Sequence, residues 1–255
     1  MLRLIGMALF AVLMCANFAS CSSSDELDNN ENNGEGAVAK TKKLLEMSYD
    51  DYSYKFTYDN DGKLSSIKYK ERNYELVTIY TWDGNTIKEV NEDKEGTYTL
   101  ENGLLTSLVE NWYDWDIDNY TYSYNSSKKI AKIIEEEDAS NTSTITFTWD
   151  GDKLIKFQDD YKITTYKYRG KTCKGWVPIH SSGAWHYFEN NEIIYAHPQL
   201  VGLCSNQLPD ESETVLSDGT KFISYYTYKF DEDGYVIECT DLSKENTNTY
   251  SYKWE

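Results

Sequence analysis

The chain is poor in proline, histidine and positive charge. Its 255 residues include only three prolines and three histidines, and 25 lysines and arginines stand against 43 aspartates and glutamates, a formal net charge of −18. So acidic a chain lacks the basic contacts to phosphate that carry nucleic-acid affinity, and we expect no nucleic-acid partner. The same charge argues against attraction to an anionic membrane surface.

Recognisable catalytic and metal-binding motifs are also missing from the sequence. There is no GxSxG, no phosphate-cradling glycine loop, no HExxH and no CxxC pattern. The acidic run Glu135–Glu137 is a poor acid–base pair, because neighbouring residues of a strand point to opposite faces. The sequence therefore assigns no catalytic residue, no cofactor and no metal.

After residue 21 no apolar run is long enough for a transmembrane helix. The run Leu4–Met14 follows Arg3 and has the length of a signal-peptide core. It leads to Phe18-Ala-Ser-Cys21, which resembles the lipobox of bacterial lipoproteins. The resemblance implies that residues 1–20 are removed and that Cys21 is lipidated. The alternative is an ordinary signal peptide with an incidental cysteine.

A polar segment separates this signal from the rest of the chain. Residues 22–39 are mainly Ser, Asp, Glu, Asn and Gly and bury too little apolar surface to fold, so residues 21–42 are predicted to be a lipidated cysteine and a flexible acidic tether. The start, Ser22 to Glu26, resembles the acidic export signal of surface lipoproteins in Bacteroidota. That resemblance implies a lipid-anchored outer-membrane protein at the cell surface, which contacts the membrane through its N-terminal lipid.

What the sequence has in abundance is aromatic residues, arranged in repeated hairpins. Rings recur at every second position before Asp-Gly or Asn-rich turns, most clearly in the stretches 54–62, 145–151 and 226–234. A period of two places the rings on one face of a strand and Thr, Ser or Lys on the other. Asp-Gly and Asn-Gly suit tight hairpin turns because these residues tolerate positive φ.

Sequential hairpins predict an all-β protein, an antiparallel up-and-down meander that occupies residues 43–255 as one domain. A flat sheet of this size would twist and leave edges prone to aggregation, so we expect a barrel or a highly curved sheet with the rings inside. Lys and Glu occur in nearly every strand, whereas a lipid-facing barrel needs almost purely apolar outward positions. The prediction is therefore a soluble barrel.

The hairpins carry two further resemblances. Their Tyr-x-Tyr-Asp-x-x-Gly units are similar to the tyrosine–aspartate repeats of Rhs-type surface proteins. With the lipobox, the tether and the stretch Tyr195–Pro209, they resemble a family of Bacteroidota lipoproteins with a porin-like β-barrel fold, over most of residues 40–255. The family implies a fold but no activity, so no catalytic residue is carried over.

A non-repeat insert at residues 173–209 interrupts the hairpins. It contains every proline and every histidine of the chain, together with two tryptophans. Rare residue types gathered in one segment are typical of a binding loop on a rigid scaffold, so Trp176, Trp185, His186 and His197 are candidate ligand-binding residues. Zinc held by three imidazoles is an alternative, but the spacing fits no zinc motif. A further alternative is that the insert plugs or caps the barrel.

Three cysteines, Cys173, Cys204 and Cys239, remain beyond the tether. An odd number cannot pair completely within the chain. A bridge between Cys173 and Cys204 and three free, buried thiols both remain open.

A second candidate site combines rings with carboxylates, in the order Trp112, Tyr113, Asp114, Trp115 and Asp116. Flat rings give a sugar a stacking surface, and carboxylates accept hydrogen bonds from its hydroxyls. Alternating aspartates up to Asp118 could hold Ca²⁺, but the glycine and distal glutamate of an EF-hand loop are missing. A strand end with packed rings and solvated aspartates is the remaining interpretation.

The sequence thus favours a surface-anchored lipoprotein with a non-catalytic binding or structural role, whose partner is a glycan or another envelope protein. The alternatives are a hydrolase that acts on an envelope or dietary polymer and an accessory subunit of an outer-membrane complex.

Overall fold

The computed structural model describes residues 41–113, 117–138, 141–177, 191–203, 205–243 and 246–255. The described chain forms sixteen strands: β1 Leu44–Tyr49, β2 Tyr52–Tyr58, β3 Leu64–Glu71, β4 Tyr74–Asp83, β5 Thr86–Val90, β6 Lys94–Glu101, β7 Leu104–Trp112, β8 Ile117–Tyr124, β9 Ile130–Asp138, β10 Asn141–Asp150, β11 Lys153–Gln158, β12 Lys162–Lys167, β13 Glu211–Leu216, β14 Lys221–Phe230, β15 Val236–Ser243 and β16 Thr247–Trp254. Each strand pairs antiparallel with its neighbours in sequence, and β1 pairs with β16, so the sheet is a closed barrel. The predicted all-β up-and-down meander is confirmed.

Alternation along the strands separates the core from the surface. In β8, Tyr120 and Tyr122 are buried, whereas Thr121 and Ser123 between and beside them are exposed. The five largest fully buried side chains are all rings: Tyr98, Tyr195, Tyr226, Tyr250 and Phe157. The ring-bearing face therefore lies inside the barrel, where burial of each ring contributes about 1.5–3 kcal/mol.

The outer wall carries ion pairs between neighbouring strands, beside exposed apolar side chains such as Val77, Ile79 and Val90. Lys167 of β12 stands opposite Glu211 of β13, with Nζ 2.6 Å from Oε1. Lys229 and Glu238 form the same arrangement between β14 and β15 at 2.7 Å. Such exposed pairs add only about 0–1 kcal/mol each, but charged side chains at these positions would be costly against hydrocarbon.

Turn residues bind the N–H groups of their own loops. Asp59 Oδ1 accepts hydrogen bonds from the backbone N–H groups of Asp61 and Lys63, both at 2.9 Å. Asn125 and Asp231 bind their turns in the same way. An Asp or Asn at the start of a turn mimics a backbone carbonyl, which is why these hairpins are visible in the sequence.

Several strands carry near one end a tyrosine or tryptophan whose side chain donates a hydrogen bond to a backbone carbonyl earlier in the chain. Trp82 Nε1 donates to the Leu64 carbonyl at 2.8 Å, and Trp149 Nε1 donates to the Ile130 carbonyl at 2.7 Å. Equivalent bonds run from Tyr58 to Leu44, Tyr124 to Leu105, Tyr168 to Leu154 and Trp254 to Val236. We call the end of the barrel with these rings and the turns after β2, β4, β8, β10 and β14 the repeat end, and the opposite end the far end.

The insert leaves the wall at the repeat end, between β12 and β13. Its described part holds α1, Ile193–Ala196, and a 3₁₀ turn, Pro198–Val201, whose buried residues join the barrel core. Gly202 has φ +67°, and a Cβ there would stand 2.1 Å from the carbonyl oxygen of Lys128 in the β8–β9 turn. The insert is therefore packed tightly against the barrel. No helix in the described residues is long and apolar enough to cross a membrane.

Cys173 and Cys239 are free and buried. The Cys173 thiol donates to the Gly175 carbonyl at 3.1 Å, and burial raises the pKa of both thiols to about 12. Both are therefore protonated at neutral pH, and Cys173 is not bridged to Cys204, which itself lies outside the described residues.

Candidate functional site

The candidate residues from the sequence fall into three groups. One group lies outside the described residues: Cys21, Asp114, Trp115, Asp116, Trp185 and His186. Trp176 and His197 belong to the insert, and Trp176 packs partly buried against the core. Trp112 and Tyr113 lie where β7 ends, at the far end.

His197 holds the insert to the wall. Its Nε2 accepts the backbone N–H of Leu64 at 3.0 Å, and the side-chain amide of Gln199 lies 3.0 Å from Nδ1. The ring stands edge-on to Trp82 and Tyr58, at centroid distances of 5.3 and 6.0 Å. Burial lowers the pKa of His197 to about 4, so the imidazole is neutral. With both ring nitrogens engaged, His197 acts as a packing residue.

Trp112 is half-buried at the mouth of the far end. Its Nε1 donates to Asp118 Oδ2 at 3.0 Å, across the β7–β8 connection, and burial raises the pKa of this carboxyl. Lys94 Nζ lies 5.0 Å from the centroid of the Trp112 ring. The indole is thus held by a carboxylate on one side and an ammonium on the other, which fixes its orientation.

Lys94 also belongs to a buried charge cluster, Glu89, Lys94 and Glu110, which the sequence did not reveal. Lys94 Nζ lies 3.1 Å from Glu89 Oε1 and forms a second ion pair with Glu110. The three residues are 2%, 7% and 0% exposed. Tyr98 donates its hydroxyl to Glu89 Oε2 at 2.7 Å. Gly96 makes room for this carboxylate, since a Cβ there would stand 2.7 Å from Oε1.

The insert adds a third carboxyl to this interior. Glu192, just before α1, is half-buried and lies within electrostatic reach of Lys94 and Glu89. Burial raises the pKa of Glu110 to about 7, and it raises the pKa of Glu192 to about 7 as well. Three carboxyls therefore share one ammonium, and the cluster retains protons near neutral pH. Glu192 of the insert thus interacts electrostatically with the cluster beside Trp112, although the two are far apart in sequence.

Tyrosines line the mouth of the far end on β1 to β4. Tyr49 and Tyr52 have nearly parallel rings, with an interplanar angle of 11° and centroids 6.1 Å apart. Tyr69 lies 6.2 Å from Tyr52 and 6.2 Å from Tyr74, measured between centroids. We call these four residues the tyrosine rim. They occupy inward positions of the strands, but the barrel ends here, so that Tyr52 and Tyr74 are 36% and 44% exposed.

Carboxylates hold two hydroxyls of the tyrosine rim in place. The Tyr69 hydroxyl donates to Glu71 Oε2 at 3.0 Å, and the Tyr74 hydroxyl donates to Asp93 Oδ2 at 3.2 Å. The backbone carbonyl of Asp93 in turn accepts the N–H of Tyr113 at 3.1 Å. Tyr113 is 51% exposed. The predicted Trp112–Tyr113 site is therefore one end of a longer aromatic and acidic surface built from four far-end connections, β1–β2, β3–β4, β5–β6 and β7–β8.

Among the described residues, no group of three or more His, Cys, Asp or Glu side chains is placed to hold a metal ion. The surface is suited to contact with a ligand through ring faces and hydrogen-bond acceptors.

Sixteen antiparallel strands closed in chain order define a porin-like barrel. Two solved structures share this fold: a porin-like protein from Bacteroides uniformis, with a TM-score of 0.67, 18% identity and coverage of 84% of this chain and 98% of that chain, and a porin-like protein from Bacteroides vulgatus, with a TM-score of 0.60, 12% identity and coverage of 84% and 99%. No family model and no curated protein matches the chain. At these identities the likeness establishes the fold alone.

Proposed function

We propose that the protein is a non-catalytic binding protein of the outer membrane, anchored by lipid on Cys21, whose ligand contacts the far end of the barrel. The observation that carries the proposal is the exposed aromatic surface at the far-end mouth, from the tyrosine rim to Trp112 and Tyr113. Barrel mouths are common ligand sites, and exposed rings with convergent acceptors are typical of them. The Bacteroides origin of the porin-like neighbours supports an outer-membrane association.

A pore through the lipid bilayer is a poorer explanation of the same barrel. Inward-facing side chains and the insert form one buried core, and the outer wall carries ion pairs such as Lys167–Glu211. A spanning barrel needs an apolar outer band about 25 Å tall. We therefore propose that the barrel lies in water, next to the membrane.

The anchor is tested by replacing Cys21 with serine in the full chain, expressed in a host that processes lipoproteins. For the wild type, we expect both the fatty-acid label and the protein in the membrane fraction. For the variant, we expect both to be lost from that fraction. Protease treatment of intact cells then reports surface exposure. If the Cys21→Ser protein stays membrane-bound, the anchor is wrong.

The ligand is most simply a glycan, because Trp112 and Tyr113 offer ring faces beside carboxylates. Isothermal titration of the detergent-solubilised full chain against a panel of host and dietary glycans tests this. Binding is expected, with a clear loss in Trp112→Ala. Absence of heat with every glycan would exclude the sugar version of the proposal.

A hydrolase needs an open cleft with at least two convergent ionisable groups. Glu89, Lys94 and Glu110 converge, but they are only 2%, 7% and 0% exposed. Binding is therefore the better-supported function. A role as an accessory subunit predicts a specific partner in a pull-down from native membranes.

A further inference from the structure

We propose that the tyrosine rim is the ligand platform and that it takes an uncharged glycan chain lying across the mouth of the far end. This inference rests on the proposed binding function and assigns it to residues of β1 to β4 that the sequence did not single out.

The rings of the tyrosine rim are ordered before any ligand arrives. Tyr49 and Tyr52 lie nearly parallel, and the hydroxyls of Tyr69 and Tyr74 are tied to Glu71 and Asp93. Tyrosine offers a large, flat contact area for the loss of only two side-chain torsions. A pyranose presents a flat C–H face of matching size, so little conformational entropy is lost when it stacks on Tyr52 or Tyr74.

The charges around the rim select against anionic ligands. Glu71, Asp93 and Asp51 all lie at this mouth, and the cation beside them, Arg72, is already paired, with its Nε 3.1 Å from Asp51 Oδ2. The whole chain has a net charge of −18. A sulfated or uronic-acid polymer would be repelled. A carboxylate that accepts one tyrosine hydroxyl still has lone pairs for sugar hydroxyls.

A basic peptide would tolerate this charge but would find no backbone partner. Extended peptides usually bind by adding a strand to a free sheet edge. The sixteen described strands pair all the way round the barrel, including β1 with β16, so this sheet offers no such edge. The mouth presents side chains only, ring faces and acceptors, which suits a chain of hydroxylated rings better than a peptide.

The position of the rim fits a ligand outside the membrane. Residues 41–43 enter the barrel at the repeat end, where β1 begins at Leu44, and the β1–β2 turn beside Tyr49 and Tyr52 lies at the far end. The rim therefore faces away from the point at which the tether joins the barrel.

The test is titration of the detergent-solubilised full chain with three classes of polymer. The neutral class comprises glucans, mannans and xylans, the anionic class comprises polygalacturonate and heparin, and the cationic class is polylysine. A neutral polymer is expected to bind, and the double variant Tyr52→Ala/Tyr74→Ala is expected to weaken it about tenfold or more. Tyr225→Ala is the matched control, since Tyr225 is 50% exposed on the outer wall. Tyr74→Phe keeps the ring and is expected to retain most of the affinity. Unchanged far-ultraviolet circular dichroism verifies that the variants fold.

The outcomes separate the platform from the general function. Neutral-glycan binding that is lost in Trp112→Ala but unchanged in the double variant would overturn the platform and leave the binding function standing. Rim-dependent binding of polylysine or of an anionic polymer would overturn the ligand class. No binding to any of the three classes would overturn the platform and the sugar version of the proposed function.

Discussion

A tyrosine or tryptophan near the repeat end of a strand has two separate effects in this barrel. Trp82 fills the core near the repeat end, and its Nε1 also satisfies the backbone carbonyl of Leu64 on the preceding strand. A buried carbonyl without a donor costs about 1–3 kcal/mol, so the polar atom of the ring matters as much as its area. This explains why tyrosine and tryptophan, rather than phenylalanine, occupy positions 58, 82, 124, 149, 168 and 254.

Replacing Trp82 with phenylalanine is expected to lower the free energy of unfolding by about 2 kcal/mol, because the Leu64 carbonyl loses its donor and the smaller ring leaves a gap. Urea-induced unfolding of the purified protein measures this loss. Tyr161→Phe is the control, since Tyr161 is 71% exposed and the change is expected to cost almost nothing. Equal losses in the two variants would contradict the role of the indole N–H.

Period-two alternation predicted which rings point inward, but it could not predict which of these rings reach solvent. Tyr52 and Tyr98 both occupy inward positions, yet Tyr98 is buried in mid-barrel and Tyr52 lies at the mouth. The difference depends on where each strand ends relative to its neighbours. The charge cluster escaped prediction for a similar reason, because Glu89, Lys94 and Glu110 lie on three strands and meet only once those strands are paired.

At the scale of elements, the hairpins are closed by contacts between residues close in sequence, whereas the insert is held by contacts between residues far apart in sequence. The turns at Asp59, Asn125 and Asp231 are closed by bonds that span two to four residues, so their sequences are sufficient to identify them. The insert is attached through contacts such as His197 to Leu64, which are 133 residues apart. Nothing in the local pattern of residues 173–209 encodes that contact. Its position could be guessed only from the interruption of the repeat.

Gly202 is the residue on which the insert's fit depends. Gly202→Ala is expected to loosen the insert, because the new Cβ would clash with the Lys128 carbonyl at 2.1 Å and the backbone has φ +67°. Faster amide hydrogen exchange at Ile193–Val201 and easier proteolysis of the insert would report the change.

Gly219→Ala is the matched control for this prediction. Gly219 also has a positive φ, +86°, but a Cβ at this position would meet nothing within 4 Å, so only the backbone strain is shared. The strain alone costs about 1–2 kcal/mol. If amide hydrogen exchange at the insert is equally fast in the two variants, the tight contact with the β8–β9 turn does not hold the insert in place.

At the scale of the whole molecule, the barrel interior gathers the carboxyls Glu89, Glu110 and Glu192 around the single ammonium of Lys94. Glu110 and Glu192 have pKa values of about 7 in the fold, against 4.5 for an ordinary glutamate, because burial penalises their charged forms. Their contribution to stability is therefore complete below pH 4.5 and is lost as the pH rises through 7. Burial lowers the pKa of His197 from 6.5 to about 4, so His197 has the opposite effect and adds stability as the pH rises from about 4 to 6.5. Above pH 6.5 the two carboxyls dominate this balance.

The wild-type protein is accordingly expected to lose stability between pH 6 and pH 8.5, with Glu110 alone accounting for about 1 kcal/mol. Glu110→Gln removes the ionising group but keeps an amide of similar shape, so its stability should fall less over the same range. Urea unfolding at a series of pH values measures both curves, and Glu75→Gln, on the exposed outer wall, is the control. Parallel curves for wild type and Glu110→Gln would mean that Lys94 offsets the burial of Glu110 completely. The interior would then hold a fixed ion pair rather than a group that exchanges its proton near neutral pH.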